Sequence, residues 1–295
     1  MMKEGKLLKK NYPKYFLIPA IIIFTLFYVV PATLGLVLSF TDSSVRSNSF
    51  NFIGLKNYIA LFRDNGKTFT DAIGRQFLYA VTISIGKTLI GLLFALFLNV
   101  KFKGRNYLRA LIYAPIMFSP VVIGILFNYI LKYNGFFNTV LNTMGLSVLT
   151  RDWLGDFNIA LWSVAGIDMW VGAGWSMVMI LAALQSIPGD VLEVSQIDGA
   201  GPFVKFFKIK LPFIMHAINL CMLMSIISGL KAFDLIYTTT GGGPGRSTEL
   251  LTTFLAKSLS SGSLGYPAAI SSVQFILITI VALIINRIQR RLDVL

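Results

Sequence analysis

The chain has 295 residues; 55% are apolar and only 13% charged, and 26 Lys and Arg against 13 Asp and Glu give a net charge of +13. Soluble domains carry about a quarter charged residues, so this composition, with a mean hydropathy of +0.72, excludes a water-soluble globule. The basic residues sit at the ends of apolar runs, not on a face interleaved with aromatics, which excludes nucleic-acid binding.

Crossing about 30 Å of hydrocarbon takes roughly 20 mostly apolar residues in a helix. Six stretches qualify: 16–40, 77–99, 108–131, 159–187, 211–230 and 267–286. None alternates as barrel strands do, so the fold class is an all-α membrane protein. The chain reads as one transmembrane domain over 1–295. The first stretch follows Lys3, Lys6, Lys9, Lys10 and Lys14. It is too long for a signal peptide's apolar core and lacks a small-residue cleavage site, so it reads as a retained span.

Pro31 and Pro120 lie inside spans and predict kinks. Gly172 and Gly174 in the fourth span suit either close helix packing or an open groove. With the N-terminus inside, fifteen basic residues fall on inside segments: the tail, Lys101, Lys103, Arg105 and Arg109, Lys205, Lys208 and Lys210, and Arg287, Arg290 and Arg291. Nine fall outside: Arg46, Lys56, Arg63, Lys67, Arg75, Lys132, Arg151, Arg246 and Lys257. That bias places both termini in the cytoplasm and makes the chain a multi-pass cell-membrane protein.

No phosphate loop, H-E-x-x-H or G-x-S-x-G pattern occurs. The nearest, Gly241 to Thr248, lacks the Gly-Lys pair and lies outside the membrane. The chain thus reads as no enzyme. Cys221 reads as a buried hydrophobe, and His216 has no ligand partner for a metal.

The stretch 188–212 is the most informative. Pro188-Gly189-Asp190 predicts a break with Asp190 as N-cap. Gly199 predicts a left-handed helix end, and Pro202 a second start. Phe203, Phe206, Phe207 and Ile209 then form an apolar side, with Lys205 and Lys208 wet. Such a surface fits a protein partner or the lipid headgroups.

Glu193, then Gly199, then Ile209, Leu211 and Pro212 resembles the EAA loop of ABC importer permeases: E-A-A, three residues, G, nine residues, I-x-L-P. Val194 and Ser195 replace the two alanines. Leu17 to Ala20, Phe52 to Tyr58, Asn134 to Asn138, and Phe233 to Tyr237 followed by Thr240 to Pro244 resemble the carbohydrate-uptake branch, of maltose, lactose and glycerol-phosphate type. The resemblance covers nearly the whole chain and implies the compact six-span, type I importer permease.

It further implies a second permease chain, a cytoplasmic ATPase dimer that binds the ATP and magnesium, and an external solute-binding protein. No cofactor is expected on this chain. Glu193, Asp198, Gly199, Ala200, Phe206, Ile209, Leu211 and Pro212 are the implied ATPase-coupling residues, with Glu193 pairing to a basic group.

For the solute, Asp168, Val171, Gly172 and Trp175 share one helical face. A carboxylate, an open glycine and an aromatic plate suit a sugar. In maltose-type relatives these span positions contact sugar, with a neutral amide in place of Asp168. Ser228 and Gly229 are weaker candidates, with Lys231 and Ala232 beside them; Asn128 and Tyr129 are weaker still. The alternative for Asp168 is a structural ion pair with Lys87, and for Lys231 a local pair with Asp234. The expected function is sugar or oligosaccharide import driven by ATP; the alternative is a secondary transporter of a small polar solute.

Overall fold

A computed structural model describes residues 14–45, 50–64 and 66–292. Lys3, Lys6, Lys9, Lys10 and Arg46, which entered the charge tally, lie outside these residues. Six described helices are long and apolar enough to span a membrane: Tyr15–Leu38, Gly66–Asn99, Pro120–Thr143, Ala160–Gln185, Pro202–Leu230 and Gly265–Ile288. Two compact units are present, one of residues up to 66 with 255–275, the other of 67–254 with the chain beyond 275.

In the first unit, no residue of the first span is buried. Pro31 acts differently from the expected kink. The helix widens to a π turn over Thr25–Val29, where the Val30 N–H reaches back to the Thr25 carbonyl. Proline has no N–H and crowds the carbonyl four residues back; a wider turn upstream relieves that clash. Beyond the span, the segment containing Phe52 to Tyr58 has a structural role. Tyr58 OH meets Ser39 Oγ at 2.7 Å, and Asn57 Nδ2 donates to the Ser39 and Thr41 carbonyls at 2.9 Å each. Asp42 accepts from the side chain and the backbone N–H of Asn51. Those bonds hold its carboxyl below the usual range.

In the second unit, the second span is a single helix of 34 residues, begun three turns before the expected residue 77. At about 1.5 Å per residue it is longer than the hydrocarbon is thick. The extension carries Arg75, whose Nε donates to the Glu249 carbonyl at 2.9 Å.

The expected third span 108–131 is not one helix. Arg105–Tyr113 is α-helical, Ala114–Met117 is a 3-10 turn, Phe118 and Ser119 are extended, and Pro120–Leu131 is a new helix. Pro120 therefore breaks the helix where a kink was expected. Ser119, preceding a proline, is pushed out of the helical region, and Pro115 five residues earlier removes a further donor. The helical stretch Pro120–Thr143 is itself divided by a turn before Phe136–Thr143.

Two apolar clusters organise this unit. One gathers Tyr79, Ile83, Val164, Leu235 and Ile236; the other gathers Leu98, Met177, Ile180, Ile214 and Cys221. Lipid offers no hydrophobic drive between spans, so close approach and hydrogen bonds hold them. Gln76 is buried and serves both ends of its amide: Nε2 donates to the Gly229 carbonyl at 2.6 Å, and Oε1 accepts from the Leu251 N–H at 3.1 Å. Gln76→Leu strands two backbone groups and is expected to cost about 1 kcal/mol. A lower thermal unfolding midpoint of the detergent-solubilised protein checks this.

Candidate functional site

Two sites emerge, one at the 188–212 loop and one between spans.

At the loop, Pro188 is extended and precedes a helix over Gly189–Ile197. Asp190 is not the N-cap. The N-cap position is Pro188, two residues earlier than expected, and Asp190 falls in the first turn, where its charge suits the helix dipole. At the other end, the Ala200 N–H reaches the Ser195 carbonyl at 2.9 Å and the Gly199 N–H reaches Gln196 at 3.1 Å. This six-to-one and five-to-two pair is a Schellman closure. It requires a left-handed residue, and Gly199 has φ +72°. Gly201 is extended and Pro202 opens the next helix.

The second helix differs from the sequence expectation. It is not a separate short helix followed by a span that opens at residue 211. It runs from Pro202 through a π turn at Phe206–Lys210 into the fifth span, ending at Leu230. Pro212, like Pro31, is accommodated by a widened turn just upstream. The loop is thereby joined directly to a span, and Leu192 and Leu211 seat it on the second apolar cluster. Ser195 is buried with its Oγ on the Leu192 carbonyl at 2.7 Å.

The outer face of the loop is uncovered. Ile197 is 85% exposed, Phe203 79%, Phe207 59% and Val194 55%. Glu193 and Asp198 are exposed, Lys208 is wet as expected, and Ala200, Phe206, Ile209 and Lys205 are half-buried. An adjoining groove of about 390 Å³ is lined by Asp190, Val191, Val194, Ser195, Asp198 and Ile209.

Between the second, fourth and fifth spans lies a cavity of about 270 Å³, lined by Lys87, Ile116, Gly172, Trp175, Met224, Ser225 and Ser228. Gly172, Trp175 and Ser228 come from the sequence reading. Asp168, Val171 and Gly229 do not reach this wall. Asp168 binds Lys87 Nζ through Oδ1 at 2.8 Å and accepts from the Tyr79 OH through Oδ2 at 2.9 Å. Val171 packs on the first apolar cluster. Gly229 is buried against the second span; a Cβ there would sit 2.6 Å from Ala80 Cα. Gly174 is likewise a packing glycine, with a Cβ position 2.5 Å from the Ile112 carbonyl oxygen. Gly172 instead makes room for the Lys87 stem, whose Cδ would lie 2.5 Å from such a Cβ.

Sequence reasoning missed Lys87, Ile116, Met224 and Ser225 as lining. A lone lysine within an apolar span was the available signal. Asn128 donates to the Thr239 carbonyl and Tyr129 lies under Lys132 at 4.6 Å. Lys231 and Asp234 make no ion pair among the described residues. Lys231 ends the fifth span and Asp234 starts the next helix after a break, so their spacing of three is not a helical one.

The family model described as "Binding-protein-dependent transport system inner membrane component" matches residues 87–294. The chain belongs to this family. It is a multi-pass membrane protein of transport-permease type. It is 35% identical over 94% of both chains to the probable ABC transporter permease protein YurN of Bacillus subtilis. It is 31% identical to the multiple sugar-binding transport system permease protein MsmF of Streptococcus mutans, covering 99% of this chain and 100% of that one. The trehalose/maltose permease protein MalF of Thermococcus litoralis is 32% identical over 81% of each chain. A chain of a bacterial ABC transporter that imports the acidic polysaccharide alginate has the same fold, with a TM-score of 0.82 at 23% identity over 98% and 99% of the chains.

Proposed function

We propose that this chain is the membrane-spanning subunit of an ATP-driven importer that carries a sugar or oligosaccharide. The observation that supports it most is the loop 188–212. A Schellman turn at Gly199 presents Ile197, Phe203 and Phe207 to the outside, beside a groove of about 390 Å³. An apolar, shape-defined surface of this kind is what a protein partner covers. The loop is continuous with the fifth span, so a pull on it moves a wall of the cavity. ATP-driven closure of a cytoplasmic ATPase pair would bias the two states of the permease through that lever. Glu193, exposed on the loop, is the proposed pairing site for a basic group of the ATPase, which holds the ATP and magnesium. The bias of basic residues supports both termini lying in the cytoplasm with the loop.

The first span, with no buried residue on its own chain, is the proposed seat of a second permease subunit. An external solute-binding protein would deliver the solute. Several relatives carry sugar transport in their names, among them MsmF and the arabinooligosaccharide permease AraP of Bacillus subtilis. The cavity, with an indole plate at Trp175 and hydroxyls at Ser225 and Ser228, suits a polyhydroxylated ring.

The test is uptake of labelled oligosaccharides by proteoliposomes holding this chain with its neighbouring transport subunits and binding protein. Uptake that requires ATP and persists when proton and sodium gradients are collapsed is expected. Uptake driven by a gradient and indifferent to ATP would support the secondary transporter instead.

A further inference from the structure

We propose that Lys87 is the residue that hydrogen-bonds the solute, and that the solute is uncharged where it crosses. This rests on the importer reading above. Lys87 lines the cavity beside Gly172, Trp175, Ser225 and Ser228, whereas Asp168 does not. An ammonium carries three N–H donors. Among the described residues Asp168 is the one acceptor of Lys87, at 2.8 Å, which leaves two donors for whatever fills the cavity.

Asp168 and Tyr79 are positioning residues. One carboxylate oxygen holds the ammonium and the other accepts from the Tyr79 hydroxyl at 2.9 Å, so the carboxylate is engaged by its two partners, and it is not among the residues that line the cavity. The absence of a side chain at Gly172 gives the lysine stem its passage. The side chain of Lys87 is only 7% exposed, so its tip is held in place rather than sweeping through water.

The pair also sets the charge of the site. Lys87 and Asp168 cancel, and among the described residues no other charged group lines the cavity. A carboxylated or sulfonated sugar would bring an uncompensated charge into a low-dielectric wall. A neutral sugar brings hydroxyl oxygens that accept from Lys87 and exchange hydrogen bonds with Ser225 and Ser228. The cavity thus favours neutral saccharides or polyols.

The test separates solute binding from a structural ion pair. Labelled raffinose, maltotriose, trehalose and melibiose are offered to the reconstituted wild-type complex, and the sugar taken up becomes the probe. Two neutral double variants are compared, Lys87→Met with Asp168→Asn and Lys87→Gln with Asp168→Asn. Both remove the charges together, so neither leaves a lone buried ion. The methionine variant is expected to assemble and hydrolyse ATP but to move at least tenfold less sugar per ATP. The glutamine variant, which keeps an N–H donor, is expected to regain part of that ratio. A wild-type ratio in both doubles would overturn the proposal and leave a structural pair, as would equal losses in both.

A second measurement needs no substitution. Reductive methylation of Lys87 by formaldehyde and dimethylamine-borane in the wild-type complex, read by peptide mass spectrometry, is expected to be suppressed by the transported sugar. Methylation unaffected by sugar overturns the proposal. Wild-type uptake of none of the four sugars overturns the sugar reading itself, and the neutral-solute assignment with it.

Discussion

Lys87→Met alone is expected to be the most damaging single substitution in the cavity region. The ammonium and the Asp168 carboxylate are 2.8 Å apart, with side chains 7% and 19% exposed. Removing one partner of a buried pair leaves the other charge uncompensated, which costs about 3–5 kcal/mol. An ionisable side chain within a membrane span is costly for the same reason. Asp168→Asn is expected to cost less: Tyr79 keeps an amide oxygen to donate to, and Lys87 opens onto the cavity. The double variant should recover most of the loss, because both charges go together. Yield and thermal midpoint in mild detergent measure all three. A single lysine variant as stable as wild type would show that the pair does not hold the second and fourth spans together.

Gly199→Val is expected to abolish uptake while the chain still inserts and accumulates. Nothing lies within 4 Å of the position a Cβ would take, so space is not the obstacle. The obstacle is the backbone: φ is +72°, a region that costs an L-residue roughly 1–2 kcal/mol and a β-branched residue more. A change of that size shifts a conformational balance by about 5- to 30-fold. The Schellman closure then gives way, and Glu193 and Ile197 lose their placement relative to Phe203. Gly199→Asn, which tolerates the left-handed region, should keep most of the uptake. Equal uptake in the valine variant would sever the loop's shape from transport.

These two sites differ in how far the sequence disclosed them. The turn at Gly199 was legible because its determinants are local: a glycine for positive φ, and Pro202 at a helix start. The six spans were legible because bilayer thickness fixes their length. The break at Pro120 was harder, since a proline inside an apolar run is compatible with a kink or a break, and Pro115 together with the extended Ser119 decided it. The faces of the fourth and fifth spans were the least legible. Both are apolar nearly all round, so a 3.6-residue period marks no inward side. Hence Val171 was placed with Trp175 by spacing and Gly229 was taken with Ser228 as a candidate, although both turn into packing. The Lys87–Asp168 pair joins residues on different spans, and only charge inside an apolar run hinted at it.

The most direct test of the importer reading is to tag this chain, express it with its native gene neighbourhood, extract it in mild detergent and identify what co-purifies. An ATPase and a second permease are expected in the complex, and recovery of the ATPase should be weakened by Glu193→Ala and by Ile197→Asp at the uncovered loop face. Recovery of this chain alone across several detergents would contradict the account and bring the secondary transporter forward.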